Sequence, residues 1–83
     1  MRPGELIAHA RAHVCDLAGV QVESVSGLGR DGNEEWVVTV EALELARVPN
    51  TMDVMATYEV RLSDEGELVG FRRVGRYQRS VAS

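Results

Sequence analysis

Residues 47–62, RVPNTMDVMATYEVRL, decide how the rest of the chain is read. After the corner at Pro49-Asn50 the segment passes Asp53 and then alternates. Val54, Ala56, Tyr58, Val60 and Leu62 fall on one parity, with Met55, Thr57 and Glu59 between them. A period of two with the apolar set on one side marks a half-buried strand. Such a strand needs partners at its edges and a cover for its apolar face, and the flanking sequence supplies both.

Downstream, Asp64-Glu65-Gly66 is a turn and Glu67 to Arg79 a further strand. In the register that opposes apolar to apolar, Val69, Phe71, Arg73 and Tyr77 share the face of Tyr58 and Val60. Glu59 then sits beside Arg72 on the reverse face as a favourable cross-strand pair. Upstream, Glu35 to Ala46 is a strand in which Trp36, Val38 and Val40 point one way and Val37, Thr39 and Glu41 the other. Leu43 and Leu45 break that parity. A bulge at Glu41-Ala42 is the reading adopted, since it returns both leucines to the core and turns Glu44 outward. Without it, Glu44 faces inward and needs a cationic partner.

Gly29-Arg30-Asp31-Gly32-Asn33 is dense turn chemistry that closes a hairpin with a weaker strand, Val20 to Leu28, bulged near Ser24. Ahead of it, Pro3 to Ala18 has helical spacing: Leu6, Ile7, Ala10, Val14 and Leu17 form one stripe. Pro3 suits the first helical position, Glu5 the positive end of the helix dipole, and Gly19 a left-handed cap. The expected fold is α+β: one domain over residues 1–83, with a helix over about 3–18 and strands over about 20–28, 35–46, 53–63 and 67–79. The strands form an antiparallel meander, and the helix lies across one face, roofing the aliphatic side of the last hairpin. The expected reverse face carries Val37, Thr39, Glu41, Met55, Thr57, Glu59, Arg72, Val74 and Arg76.

The composition, 45% hydrophobic and 27% charged over 83 residues, is that of an ordered globular chain. A core this small leaves little room for a deep enzyme pocket. The net charge is −4 and all nine basic residues are arginine. Arg72, Arg73, Arg76 and Arg79 lie after every one of the thirteen acids, so the first 71 residues carry −8 and the remainder +4. An acidic chain of this kind is a poor general nucleic-acid binder, and the polarity points to pairing within the fold or across subunits. No apolar run approaches the roughly 18 residues of a membrane span, and the expectation is a cytoplasmic protein.

Few residues suggest chemistry. His9 and His13 share a helix edge at a spacing that can hold zinc, but no third ligand completes a site, and an ordinary polar edge is the simpler reading. Cys15 has no base beside it, and Gly27, Gly29 and Gly32 lack the spacing of a phosphate loop. Gly4, Ala8 and Ala12 make a smooth helix strip, which alanine's helix propensity explains as well as close packing does. Glu41, Glu44, Asp53 and Glu59 fit structural ion pairs with the C-terminal arginines better than an acid/base pair; Glu44 and Arg73 are singled out as such a pair. The cluster Arg72, Arg73, Arg76, Tyr77 and Arg79 is the most unusual feature. It reads as internal pairing, as a docking surface for an acidic protein, or as a site for nucleic acid. No catalytic residue, cofactor or metal site is assigned.

Taken in order, a Trp36-led strand reaching Glu41 and Glu44, then Arg47-Val48-Pro49, Asp53, Tyr58-Glu59-Val60, Gly66-Glu67-Leu68, Phe71, Arg73, Tyr77 and Arg79 resembles the gas vesicle protein O family. Phe71 stands where tyrosine is common there, and many members carry a longer charged extension ahead of the helix. The resemblance implies a non-enzymatic accessory protein for assembling gas vesicles, cytoplasmic and vesicle-associated. Other gas vesicle shell and accessory proteins are the implied partners. Glu41, Glu59, Arg72, Arg76 and Tyr77 are the expected docking residues, and a homodimer through the same face is compatible with the open sheet. The alternative is a regulatory module that binds nucleic acid through the C-terminal arginines and affects vesicle-gene expression.

Overall fold

The computed structural model describes residues 2–32 and 34–79. Helix α1 spans Pro3–Ala18, with Pro3 in its first turn, and ends at Gly19, whose φ of 66° lets its N–H donate to the Cys15 carbonyl at 3.1 Å. Strands β1 (Gln21–Asp31), β2 (Glu35–Leu45), β3 (Val54–Leu62) and β4 (Leu68–Gln78) follow. They form one antiparallel sheet in chain order, the α+β meander expected. The β3–β4 turn closes through hydrogen bonds between Ser63, Gly66 and Glu67, with Gly66 at a φ of 82°.

The core lies between the helix and one face of the sheet. Leu6, Ala10 and Val14 pack on Val22, Val38, Val40, Ala42, Ala56, Tyr58, Val60 and Leu62. Ile7 is half-buried and Leu17 is exposed, so the helical stripe is narrower than its spacing suggested. The helix lies over β1, β2 and β3, so of the last hairpin it roofs β3 and leaves β4 outside. Strand β4 joins the core through Phe71, whose ring stacks on Tyr58 at 5.3 Å. The whole measures 41 × 23 × 19 Å, its least dimension matching one helix layer on one sheet.

Two expectations about register are corrected. Strand β2 has no bulge at Glu41-Ala42: its ladder with β3 runs unbroken from Trp36 to Leu43, and the extra residue is Glu44, between Leu43 and Leu45. Leu43 has no need to return to the core, because it lies opposite Met55 on the reverse face, where Met55 is only 4% exposed. Glu44 is therefore on the helix side, in the situation that demands a cation. In β4, Val74 is the extra residue between Arg73 and Gly75. That single insertion reverses the parity of everything after it. Arg76 moves to the helix side, opposite Ala56, and Tyr77 to the reverse side, opposite Met55. Glu59 does lie opposite Arg72, in the register read from sequence.

Leu6 is fully buried at the centre of the helix–sheet contact, while Leu17 on the same helix is 55% exposed. Leu6→Ala should lower unfolding free energy by about 2–5 kcal/mol. Leu17→Ala should change it by about 0.5 kcal/mol or less. Urea titration of the two variants against the parent measures both.

Candidate interaction surface

The reverse face of the sheet is covered by no other element among the described residues. Its centre is the carboxylate of Glu41 on β2. Three hydroxyls donate to it, one from each other strand: Ser26 to Oε2 at 2.7 Å, Thr57 to Oε1 at 2.6 Å and Tyr77 to Oε1 at 2.8 Å. The Ser26 donor stands at an irregularity of β1, where Val25 and Gly27 but not Ser26 pair with β2. No cation bridges Glu41 among the described residues.

Beside this cluster, Leu43, Met55 and Tyr77 oppose one another across three strands and form a small apolar patch. On the other side, Arg61 reaches Asp31 at 2.6 Å, Glu35 at 3.5 Å and Glu59 at 3.7 Å. Arg72 meets the same Glu59 at 3.4 Å, with its own side chain 70% exposed. A single exposed pair at that distance holds its arginine weakly.

The remaining C-terminal arginines are committed elsewhere. On the helix side, Glu44 accepts from Tyr58 Oη at 2.6 Å, Arg73 at 3.2 Å and Arg76 Nε at 2.7 Å. Arg79 forks onto Glu23 at 2.9 and 2.7 Å and donates through Nε to Asp53 at 3.0 Å. The described residues enclose no cavity, and their His, Cys, Asp and Glu side chains make no group of three or more able to hold a metal. No helix among them is long and apolar enough to cross a membrane.

The family model for the gas vesicle synthesis protein GvpO matches residues 1–83. The chain belongs to this family. A gas vesicle protein O from a Streptomyces species (strain CB03234) is 48% identical over 77 residues, covering 93% of this chain and 59% of the relative. Gas vesicle protein O1 of Halobacterium salinarum is 34% identical over 71 residues, covering 84% of this chain and 58% of the relative. The Haloferax mediterranei protein O is 29% identical over 70 residues, covering 84% of this chain and 50% of the relative. The chain thus spans only 50–59% of the length of these relatives. No solved structure matches it.

Of the residues expected to form a docking surface on this GvpO-family chain, Glu41, Glu59, Arg72 and Tyr77 share the reverse face. Arg76 lies on the helix side with Glu44 and Arg73. Ser26 and Thr57 were missed as partners of Glu41. The parity of Thr57 and Glu41 pointed to one face for both, whereas the irregularity at Ser26 left no signal in composition.

Burial alone would raise the pKa of Glu41, but the hydrogen bonds from Thr57, Ser26 and Tyr77 outweigh it and hold the carboxyl below its usual range. Glu44 is also lowered, chiefly by the Tyr58 hydrogen bond against the opposing effect of burial, with help from Arg73 and Arg76. The Tyr77 hydroxyl is pushed up to about 12 by burial and by the Glu41 carboxylate it donates to. Its neutral form is the one that the fold favours. The Tyr77 contribution to stability is therefore complete below about pH 10 and is lost as pH rises toward about 12. Tyrosinate absorbance should show Tyr77 un-ionised at pH 10. Tyr77→Phe should cost about 1 kcal/mol at neutral pH and flatten the alkaline fall in melting temperature.

Proposed function

We propose that this chain is a non-enzymatic accessory protein of gas vesicle assembly that docks other gas vesicle proteins through the uncovered face of its sheet. Membership of a family described as gas vesicle synthesis proteins supports the setting. The observation that carries the mode of action is the arrangement on that face: half-buried Leu43 and Tyr77 flanking the buried Met55, beside the negative centre at Glu41, with the exposed Arg72 at its margin. Apolar area gives a partner something to bury, and fixed charges of both signs select orientation and partner. Arg72 can exchange its weak hold on Glu59 for a carboxylate on the partner.

The docking residues of this reading are Glu41, Glu59, Arg72 and Tyr77. Glu44, Arg73 and Arg76 tie β4 to the body of the fold. Nucleic-acid binding through the C-terminal arginines is disfavoured, because Arg73, Arg76 and Arg79 each already contact a carboxylate at 3.2 Å or less. Binding through Arg72 alone would be weak and would vanish with salt.

Arg72→Glu places two acids side by side, and like charges across an interface cost several kcal/mol. The variant should weaken capture of at least one purified shell or accessory protein of the same gene set on the order of tenfold or more. Vesicle yield should fall with it. Unchanged capture and unchanged yield would refute the docking face, and a gel shift that persists at physiological salt would favour the nucleic-acid reading.

A further inference from the structure

The connection between β2 and β3 presents an apolar tip that the sheet-face reading does not use. Val48 is 99% exposed, and Leu45 and Met52, at the two ends of the same turn, are 46% and 45% exposed. One exposed valine is ordinary on a protein surface. Three exposed apolar side chains on one turn, next to an arginine, are a concentration. Arg47 is exposed, and no carboxylate among the described residues lies within ion-pair distance of it.

The turn is also held in shape. Asp53 is 5% exposed, the sole buried charged residue among those described. Its Oδ1 accepts the Arg47 N–H at 2.7 Å, its Oδ2 accepts Arg79 Nε at 3.0 Å, and its carbonyl accepts the Arg79 N–H at 3.0 Å. A short 3-10 turn, Asn50–Met52, closes the inside of the loop, with Met52 N–H donating to Pro49 and Asp53 N–H to Asn50, each at 3.0 Å. Arg79 is anchored in turn by its fork onto Glu23 of β1. Burying a carboxylate is costly unless it is fully paired. Here that pairing orders a loop that contributes no side chain to the core. The shape of the loop is what benefits.

We infer that this loop is a preformed docking tip. Val48, with Leu45 and Met52, enters an apolar pocket on another gas vesicle protein, and Arg47 meets an Asp or Glu on the rim of that pocket. The inference rests on the assembly role proposed above but uses a different surface, the end of the sheet rather than its face. A loop fixed in advance loses little conformational freedom on binding, which is what converts a small apolar contact into affinity. The Arg47 guanidinium, without an ion-pair partner among the described residues, selects the sign of the partner's charge.

The test uses the full chain and each gas vesicle shell and accessory protein encoded with it, purified separately. Val48→Asp should weaken binding to one of them by at least about tenfold, and Val48→Ile should hold it within about threefold. Arg47→Glu should weaken the same partner and reduce the salt dependence of its binding. Melting temperatures should stay at the parent value, because neither side chain touches the core. A photo-crosslinking residue at position 48 should join to a partner segment that holds apolar residues beside Asp or Glu. If Val48→Asp and Arg47→Glu bind like the parent while Arg72→Glu does not, the tip inference falls and the sheet-face reading stands. If Arg72→Glu also binds like the parent, both fall. Crosslinking of position 48 mainly to a second copy of this chain would overturn the inference in favour of self-association.

Discussion

A single helix of 16 residues, roughly 24 Å long, can cover one face of a four-stranded sheet and no more. Leu6, Ala10 and Val14 supply the cover, and Val38, Val40, Ala42, Ala56, Val60 and Leu62 supply the floor. Most of the hydrophobic stabilisation of a chain this small comes from that contact. The reverse face has to remain stable in contact with water, which rules out a continuous apolar surface there. The chain places hydroxyls, carboxylates and arginines on it, and gathers its apolar part at Leu43, Met55 and Tyr77, with Val37 set apart opposite Arg61. Strand β4 lies beyond the helix, so beyond its ladder it needs other ties than aliphatic packing.

Those ties are arginines, and their number and type follow from the geometry. Glu44 gathers Arg73 and Arg76 from β4 together with the hydroxyl of Tyr58. Arg79 joins the end of β4 to Glu23 on β1 and to Asp53 at the start of β3. Arg30 lies over the Trp36 ring at 5.0 Å while Trp36 donates to Asp64, which links the two hairpin turns. A guanidinium offers a planar fork that can serve two carboxylates at once, whereas an ammonium is a point charge on a flexible stem. Each exposed pair is worth little alone. Acting together, they convert the split between an acidic body and a basic last strand into a fastening along β4.

The helix and the parity of β3 were legible because each writes a periodic signal over many residues. Pro3, Gly19 and the spacing of Leu6, Ala10 and Val14 mark the helix independently of one another. The Glu59–Arg72 pairing was legible because the register that sets Val60 against Phe71 gives the better apolar match. Next to the turn, however, Leu62 pairs with Leu68, and Val69 is an extra residue that the alternation did not show. The bulge near Ser24 was legible too, because Val20, Val22 and Val25 fall out of alternation, and the β1 ladder does shift between Val22 and Ser24. The bulges of β2 and β4 were not placed. An inserted residue such as Val74 has the composition of any strand residue, yet it reverses the faces of Arg76 and Tyr77. At Glu44 the parity of Leu43 and Leu45 suggested a slip in the right neighbourhood, but the choice of residue turned on whether Leu43 needed the core. It does not, since Met55 shelters it on the far side, and a buried contact on the exposed face of a sheet leaves no trace in a single sequence.

The correction at Tyr77 matters for what the reverse face can do. Had Tyr77 stayed with Tyr58, Glu41 would have kept two hydroxyl partners and stood more open to water. With Tyr77 beside it, the carboxylate is satisfied by three neutral donors and keeps its full charge, because hydroxyls stabilise an anion without neutralising it. Glu44 and Asp53, each paired with arginine, project much less field. Glu41 is thus a fixed negative point set in a partly apolar surface, with the positive Arg72 at its margin. In the docking role proposed for this face, a partner with the opposite polarity in the same spacing would be favoured in one orientation and penalised when turned around. The side chains that produce this pattern lie outside the helix–sheet core, so substitutions along this face leave the main support of the fold in place.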